Sequence, residues 1–276
     1  MQGTPEPPGL TPDEFRGRIY RFYQANRRDL PWRDIRDPYR ILVSEFMLQQ
    51  TQVTRVRDKY EPFITRFPDF ATLHASPVEE LLREWQGLGY NRRALALKKT
   101  ASRVMTEWAG VLPDNEEDLR SFPGVGKATA AAVLAFAFGK PSVLIETNIR
   151  RVFIHCFFHD FPVVTDREIL PLIEETLDRE NPRDWYYALM DYGAYLGKTR
   201  ENPNRRSRQY KKQSPFDGSV RQVRGRILSF LVKNGEKKIE DLYREIGLPE
   251  ERIDSVLTSL LNEGFIAMEN DLVRIT

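Results

Sequence analysis

The sequence has one cysteine, no long apolar run and almost no net charge. Cys156 is the single cysteine among 276 residues, so this sequence forms neither an internal disulfide nor a cluster bound by four cysteines. It lacks the roughly 18 consecutive apolar residues of a membrane helix and has no signal-peptide pattern, so we expect no membrane partner and a cytoplasmic location. A formal charge of +2 does not by itself indicate a nucleic-acid ligand.

The composition is that of a soluble globular protein, with 41% hydrophobic and 30% charged residues. Its length suits one large or two smaller domains. Residues 1–10 are rich in Pro and Gly and are predicted to be flexible, and the helix start at Thr11 follows them. Hydrophobic spacing predicts helices near 12–27, 39–50, 52–65, 77–85, 91–108, 115–121, 149–159, 166–179, 184–196, 219–233, 238–246 and 249–263, and strands at 265–268 and 272–275.

The most informative stretch is a glycine turn that leads into an alanine-rich helix within residues 122–138. Pro123 ends the helix before it, and Gly124 and Gly126 allow positive φ angles. The N–H groups at the start of the new helix suit a phosphate, and Lys127 adds a positive charge there. The alternative interpretation is an ordinary turn between two helices.

Two acidic residues stand out, one before the turn and one after it. Glu45 lies on the predicted helix 39–50 between Leu42 and Leu48, where desolvation favours a protonated carboxyl group. Glu146 directly precedes a predicted helix, where a carboxylate that only caps the helix is the alternative interpretation.

The turn, the two acids and their flanking residues together resemble the helix–hairpin–helix DNA glycosylases. The earlier acidic motif is similar to that of the adenine-excising, MutY-type branch and reads Pro31-Trp32-Arg33, then Ser44-Glu45-Phe46-Met47-Leu48-Gln49-Gln50-Thr51. The resemblance covers about residues 11–198. It implies a mainly α, two-lobed fold, with residues 11–30 and 140–198 in one lobe and 31–139 in the other.

By this resemblance, the partner is double-stranded DNA, from which a nucleotide is flipped and its N-glycosidic bond hydrolysed to leave an abasic site. A protonated Glu45 would donate to the departing base, and an ionised Glu146 would stabilise the positive charge on the sugar. Asn148 would hold that carboxylate. Glu146 stands where relatives usually have Asp, and its extra methylene displaces the carboxylate by about 1 Å unless the scaffold compensates.

The same resemblance assigns the DNA contacts. Tyr90 is the candidate intercalating wedge, with a tyrosine at the edge of the core as the alternative. Gln50 would fill the space left by the flipped base, with a glutamine on a solvated helix face as the alternative. Gly124, Gly126 and Lys127 would bind the DNA backbone.

The sequence indicates the identity of the excised base less directly than it indicates the reaction. Trp32 and Arg33 match residues that border the adenine pocket in the family, but Tyr187 stands where adenine glycosylases carry Glu or Gln. Adenine is the first choice, with thymine, uracil, hypoxanthine or oxidised guanine as alternatives. The lysine nucleophile of relatives that also cut the DNA backbone would fall at Ala128, one residue after Lys127, so we expect a monofunctional enzyme.

Many relatives carry an iron–sulfur cluster whose first cysteine would fall at Gly197 of this sequence. We therefore predict no such cluster and no catalytic metal, and leave open a structural cation bound at the glycine turn. His155, Cys156 and His159 look like half of a metal site, but as part of an amphipathic helix they are interpreted as structural.

The last part of the chain changes in composition. Residues 199–218 are predicted to form a basic linker, which either follows DNA phosphates or is a solvated connector. Residues 219–276 are predicted to form a winged helix-turn-helix domain. The acidic start of the helix near 249–263 favours packing or protein contact over DNA reading. We expect a monomer that acts on the nucleoid DNA of a prokaryote, and the alternative of another class is a non-catalytic DNA-binding protein acting through the winged helix.

Overall fold

The computed structural model describes residues 10–276, so the predicted flexible segment, except Leu10, lies outside the described residues. The described helices are α1 (Pro12–Asn26), α2 (Pro38–Leu48), α3 (Val53–Arg66), α4 (Phe70–Ala75), α5 (Val78–Trp85), α6 (Arg92–Glu107), α7 (Glu116–Ser121), α8 (Lys127–Phe138), α9 (Thr147–Phe157), α10 (Asp166–Thr176), α11 (Pro182–Thr199), α12 (Val220–Asn234), α13 (Ile239–Ile246) and α14 (Glu250–Asn262). A 3₁₀ helix covers Pro203–Arg206, and the strands are β1 (Lys237–Lys238), β2 (Ile266–Glu269) and β3 (Leu272–Ile275).

The chain divides into two units by its internal contacts. The first unit contains residues up to Ile41, 114–121 and 125–212, and the second contains 42–113, 122–124 and 213–276. These bounds differ from the predicted lobes, because residues 31–41 and α8 belong to the first unit. The buried helix α8 packs against α7 and α11 of that unit.

The core of the first unit is built where α1, α9 and α11 pack together. The ring of Phe15 lies 5.3 Å from that of Phe153 and 5.8 Å from that of Trp185, measured between centroids. Gly193 lies where α11 comes closest to α9, because a Cβ atom there would be 2.7 Å from the carbonyl carbon of Asn148. This close approach fixes the first turn of α9 against α11.

The second unit has an aromatic core around α3 and α5. Phe63, Phe67 and Phe70, which the sequence predicts as core residues, are all buried. Phe63 packs on Phe67 and Trp85, with centroid distances of 4.9 Å and 5.8 Å.

The C-terminal part of the second unit contains α12–α14 and a three-stranded sheet in the order β1-β3-β2. β2 and β3 pair antiparallel, with Ile266 opposite Ile275. This agrees with the predicted three helices followed by two strands, and β1, at two residues, is too short for a hydrophobic pattern. We call residues 219–276 the winged-helix module, as an interpretation of this element order.

Two sequence predictions differ from the structure, and one short helix has no counterpart among the predictions. α2 ends at Leu48 instead of continuing to residue 50, because Gln50 has a φ of 55° that no α-helix contains. α4 has six residues and too few turns to show a helical period. The first part of the predicted linker is structured, since Pro203, Asn204 and Ser207 are buried. Every helix within residues 10–276 is too short or too polar to cross a bilayer.

Candidate active site

Glu146 is the N-cap residue of α9, and its side chain turns back onto the helix end. Its Oε1 atom accepts hydrogen bonds from the backbone N–H groups of Asn148, at 2.7 Å, and of Ile149, at 2.9 Å. A capping aspartate reaches these same two positions, N2 and N3. The extra methylene of Glu146 is therefore accommodated, because the folded side chain returns the carboxylate to the helix end. The capping interpretation is correct, and it is compatible with a catalytic carboxylate.

Two further side chains hold this carboxylate in place. Asn148 donates through Nδ2 to Oε2 of Glu146 at 3.3 Å. Arg151 donates through Nη1 to Oδ1 of Asn148 at 2.9 Å and to the carbonyl oxygen of Gly193 at 2.6 Å. Glu146, Asn148 and Arg151 thus form one chain of hydrogen bonds that is anchored on α11. Sequence reasoning identified Asn148 but not Arg151, although its spacing of three residues from Asn148 on the same helix is a usable signal.

The charge of Glu146 depends on two opposing effects. Burial raises the pKa of Glu146, while the N–H groups of Asn148 and Ile149 and the charges of Arg150 and Arg151 lower it. Burial is the larger effect, so the pKa lies above its usual value. The site therefore contains a desolvated carboxylate at a positive helix end, which suits the stabilisation of a positive charge on a substrate.

Asp191 of α11 braces the segment that carries Trp32 and Arg33. Arg33 donates to both carboxylate oxygens of Asp191, at 2.7 Å and 2.6 Å, and the backbone N–H of Arg28 donates at 2.9 Å. Burial alone would raise the pKa of Asp191, but Arg33 and Arg28 together hold it below its usual value. Asp191 is thus an ionised structural anchor in the first unit.

The three predicted residues of the base pocket lie in the first unit, and all three are buried. Trp32, Arg33 and Tyr187 are each 3% exposed. Tyr187 stacks on Phe136 with a centroid distance of 4.3 Å, and the guanidinium of Arg33 lies 4.6 Å from the centre of the Tyr187 ring. The structure therefore brings Arg33 and Tyr187 together in an ordered stack, and their contact with a base stays a prediction.

Glu45 lies in the second unit, on the last turns of α2. It is half-buried, and its sequence neighbours Ser44 and Phe46 are buried. The end of α2 is fixed by Arg93, which donates through Nη1 to the carbonyl oxygens of Phe46 at 2.7 Å and Met47 at 2.8 Å. Burial lowers the pKa of Arg93 to about 10. Arg93 thus fixes the helix end that carries Glu45, a role that no local pattern predicts.

Gln50 and Tyr90, the two residues predicted to invade the duplex, both have left-handed backbone conformations. Their φ angles are 55° and 47°, which is uncommon for residues other than glycine. The two turns that carry them are tied together: Thr51 donates to the carbonyl oxygen of Leu88 at 3.2 Å, and Arg93 donates to Thr51 Oγ1 at 2.8 Å. We call residues 49–51 and 87–90 the loop pair. Such backbone conformations persist where the surroundings enforce them, and they are frequent at functional sites.

The winged-helix module contacts the loop pair within the second unit. Arg221 donates through Nη1 to the hydroxyl oxygen of Tyr90 at 2.8 Å. Close by, Glu263 accepts from Arg92 at 2.7 Å and from Arg224 at 2.8 Å and 2.7 Å. The hydrogen bonds from Arg92 and Arg224 hold the pKa of Glu263 at about 2. The module is therefore docked on the turn of Tyr90, which the sequence did not predict.

The glycine turn has the local geometry that the sequence predicts. Gly124 has a φ of 77°, and a Cβ atom there would lie 2.9 Å from the ring of Phe46, so only glycine fits. Gly126 is the N-cap residue of α8, and a Cβ atom there would meet no atom within 4 Å. Gly124, Gly126 and Lys127 are exposed. The start of α8 thus presents unpaired N–H groups and one cation to solvent.

The residues of this chain do not fit an iron–sulfur cluster. Such clusters need four thiolates, whereas Cys156 is the single cysteine and is buried in α9. At the predicted first ligand position, a Cβ atom on Gly197 would lie 2.6 Å from Nη1 of Arg151, so the arginine occupies the space of a side chain. Among the described residues, no group of three His, Cys, Asp or Glu side chains is placed to bind a metal.

The helical fold and the braced acid at a helix N-terminus agree with the class of the base excision DNA repair proteins. Residues 43–176 match the model of the HhH-GPD superfamily base excision DNA repair protein. The chain belongs to this superfamily, which confirms the family predicted from the sequence.

The relatives are adenine and thymine/uracil glycosylases. The chain is 31% identical to the adenine DNA glycosylase of Mycolicibacterium smegmatis, over 91% of this chain and 92% of the relative. It is 33% identical to the thymine/uracil-DNA glycosylase of Methanothermobacter thermautotrophicus, over 64% of this chain and 82% of the relative. It is also 36% identical to the adenine DNA glycosylase of Buchnera aphidicola, over 63% of this chain but only half the length of the relative.

A solved structure of a thermostable thymine-DNA glycosylase resembles this chain in three dimensions. The TM-score is 0.62 at 30% identity, over 70% of this chain and 91% of that one. This agrees with the predicted glycosylase fold.

Proposed function

We propose that this protein is a monofunctional DNA glycosylase that flips a mispaired or damaged base, with adenine as first choice, out of duplex DNA and hydrolyses its N-glycosidic bond. The observation that supports this most is the carboxylate of Glu146, which is half-buried at the N-terminus of α9 and held by Asn148. The product is an abasic site in an otherwise intact strand.

In this proposal, each of two carboxyl groups has its own role in breaking the glycosidic bond. As the glycosidic bond breaks, negative charge develops on the base and positive charge on the sugar. Glu45, on the fixed end of α2, donates a proton to the departing base. Glu146 stays ionised, stabilises the positive sugar and guides the attacking water. Asn148 and Arg151 keep the Glu146 carboxylate from rotating away from the helix end.

The DNA contacts in this proposal come from the exposed residues Gln50, Gly124, Gly126 and Lys127 and from the half-buried Tyr90. In this proposal Gln50 and Tyr90 on the loop pair enter the duplex, and their left-handed backbone conformations are of a kind that is frequent at functional sites. Gly124, Gly126 and Lys127 bind a phosphate of the backbone through N–H groups and a positive charge.

Two observations bear on the identity of the excised base. The first is the similarity of the chain to known glycosylases, and the second is Tyr187, which differs from the residue expected in adenine glycosylases. The likeness to adenine DNA glycosylases, which in one case spans nearly the whole chain, supports adenine. The likeness to a thymine/uracil-DNA glycosylase and to a thymine-DNA glycosylase structure supports thymine or uracil as the second candidate. Tyr187, stacked on Phe136, offers one hydroxyl group where Glu or Gln would offer a carboxylate or an amide to a base edge, and this difference supports a broader choice of base.

No lyase step belongs to this proposal. A lyase needs an amine nucleophile at the site, and Ala128 stands at the position where the lysine of such relatives would fall. We expect no covalent DNA adduct after borohydride treatment, and a trapped adduct would contradict the monofunctional assignment.

The function is tested with a panel of duplexes under single-turnover conditions. The panel pairs adenine with guanine or 8-oxoguanine, pairs thymine, uracil or hypoxanthine with guanine or thymine, and pairs 8-oxoguanine with cytosine. Alkali then cleaves each abasic product, so that base release is read as strand scission. We expect release from an adenine mispair first.

Matched variants separate this enzyme from a non-catalytic binder. Glu45→Gln and Glu146→Gln should each remove base release, while Glu61→Gln, at an exposed position of α3, should leave it unchanged. No release from any duplex, with DNA binding intact, would favour the binding protein. Unchanged release by both active-site variants would show that the site is elsewhere.

A further inference from the structure

The segment that follows α11 is held tightly in the first unit. The backbone N–H of Val164 donates to the carbonyl oxygen of Arg206 at 2.8 Å, and the N–H of Arg208 donates to the carbonyl oxygen of Val164 at 2.9 Å. This pairing forms a parallel bridge between Val164 and Ser207. We call residues 200–208 the strap. Its basic composition predicts a linker, but two of its polar side chains, Asn204 and Ser207, are buried.

Arg206 closes the C-terminal end of α9. Its Nη1 atom donates to the carbonyl oxygens of Phe158, of His159 at 2.9 Å and of Phe161 at 3.3 Å, and its Nη2 atom donates to that of Ile154 at 3.3 Å. The last carbonyl groups of a helix lack partners within the helix, and a cation there is also favoured by the helix dipole. One arginine of the strap thus binds a carbonyl group of the last turn of α9, at Ile154, that of the C-cap residue Phe158 and two in the turn that follows.

Two asparagines of the strap hold the opposite end of α9. Asn204, which is 4% exposed, donates through Nδ2 to the carbonyl oxygen of Thr147, the first residue of α9, at 2.8 Å. Asn202 accepts through Oδ1 from Nε of Arg151 at 3.2 Å. Arg151 in turn binds Asn148, which binds Glu146. The strap therefore reaches the candidate catalytic carboxylate through three hydrogen bonds.

We propose that the strap takes the place of an iron–sulfur cluster in this chain and that Asn202, Asn204 and Arg206 are positioning residues for Glu146. In this protein the chain after α11 is fixed by a side-chain clamp on both ends of α9, in the region where the family resemblance places the iron–sulfur cluster of many relatives. Gly197 belongs to the same arrangement, because only a residue without a side chain leaves room for Arg151. The inference rests on the proposed function for the role of Glu146, and on the observed contacts for the clamp.

The test compares strap variants with a neighbouring control in the full-length protein. Asn202→Ala removes the acceptor of Arg151, Asn202→Asp keeps an acceptor, and Arg206→Ala opens the other end of α9. Arg205→Ala is the control, because the side chain of Arg205 is 65% exposed and forms an ion pair with Glu201, another exposed residue of the strap. Each variant is measured by amide hydrogen exchange of peptides that together cover residues 144–158, by single-turnover base release and by the dissociation constant for the duplex.

The expected result is slower base release with an unchanged affinity for DNA. Asn202→Ala should speed exchange at the first turn of α9 and slow base release by about 10-fold, as is common when a group that orients a catalytic residue is removed. Its DNA affinity should stay within about twofold, and Asn202→Asp should restore base release. Arg206→Ala should speed exchange over the whole helix, and Arg205→Ala should match the wild-type protein.

Three outcomes overturn the proposal, and they are distinguishable. Wild-type exchange in Asn202→Ala and Arg206→Ala would show that the strap does not clamp α9. Faster exchange with undiminished base release, in a protein that Glu146→Gln inactivates, would show that the clamp does not position the carboxylate. Base release that survives Glu146→Gln would instead overturn the proposed function on which the positioning role rests.

Discussion

The start of α9 and the loop pair hold their predicted functional residues in opposite ways. At α9, Glu146 is half-buried, accepts hydrogen bonds from two backbone N–H groups and is linked to Asn148 and Arg151. On the loop pair, Gln50 is exposed, and both it and Tyr90 have positive φ angles. A group that stabilises charge gains from a low-dielectric, fixed surrounding, whereas a side chain that enters a duplex must project from the surface.

This difference predicts different consequences of mutation. Changes at α9 should act on the chemical step and leave DNA binding nearly intact. Changes on the loop pair and the glycine turn should act on DNA binding and base flipping. The following predictions run from the largest expected effect to the smallest.

The largest effect is expected at Glu146. Glu146→Gln should slow single-turnover base release by about 1,000-fold or more, because the charge that stabilises the positive sugar is lost. Glu146→Asp should stay within about 10-fold, because a shorter carboxylate caps the same N–H groups of Asn148 and Ile149. Because burial raises the pKa of Glu146, the rate should fall on the acidic side of a carboxyl pKa above the usual range. A Gln variant as active as the Asp variant would contradict this role.

The next effect is expected at Tyr90. Tyr90→Ala should lower kcat/KM for base release by about 10- to 100-fold, because an aromatic wedge that stacks on bases contributes about 1–3 kcal/mol. Tyr90→Phe keeps the ring and removes only the hydroxyl that Arg221 binds, so a smaller effect is expected. The measurement is base release at limiting duplex concentration. Equal activities of the Ala and Phe variants and the wild-type protein would exclude Tyr90 as the wedge.

A moderate effect is expected at Lys127. Lys127→Ala should reduce the slope of log Kd against log salt concentration by about 1, because one phosphate contact is lost. Lys233→Ala is the matched control, since it removes an exposed lysine from α12 of the winged-helix module. A change in slope for Lys233→Ala but not for Lys127→Ala would transfer the phosphate contact from the glycine turn to the module.

The smallest effect is expected at Glu263. Its folded-state pKa of about 2 is below that of an unfolded chain, so its stabilising contribution is present above about pH 4 and is lost as the pH falls towards 2. Because Arg92 is 71% exposed, we expect only about 1 kcal/mol. Glu263→Gln should therefore unfold at a lower temperature than the wild-type protein at pH 7, with the difference vanishing at low pH. A constant difference over that pH range would exclude the ion pairs as its cause.

Local features were predictable because their causes lie within a few residues. Pro123 and Gly124 predict the turn, and the Ala-rich stretch predicts α8. The turn Glu269-Asn270-Asp271 predicts the link between β2 and β3, and Asn270 and Asp271 indeed have φ angles of 47° and 63°, which Asn and Asp tolerate.

The remaining features depend on partners that are distant in the sequence. Arg206 binds carbonyl groups 45 to 52 residues away, and Glu263 binds an arginine 171 residues away. A basic, proline-containing stretch has the composition of a linker whether or not distant carbonyl groups accept hydrogen bonds from its side chains in the fold. The burial of Arg33 and Tyr187 likewise follows from packing around Phe136 and Asp191, which no local pattern records.

The central claim is that the charge of Glu146 faces the sugar of a flipped nucleotide. The direct measurement is the dissociation constant for two duplexes, one with a cationic pyrrolidine in place of the sugar of the excised nucleotide and one with a neutral tetrahydrofuran. We predict that the wild-type protein binds the cationic duplex about 100-fold more tightly, as expected for a transition-state mimic, and that Glu146→Gln removes this preference. An undiminished preference in Glu146→Gln would contradict the claim.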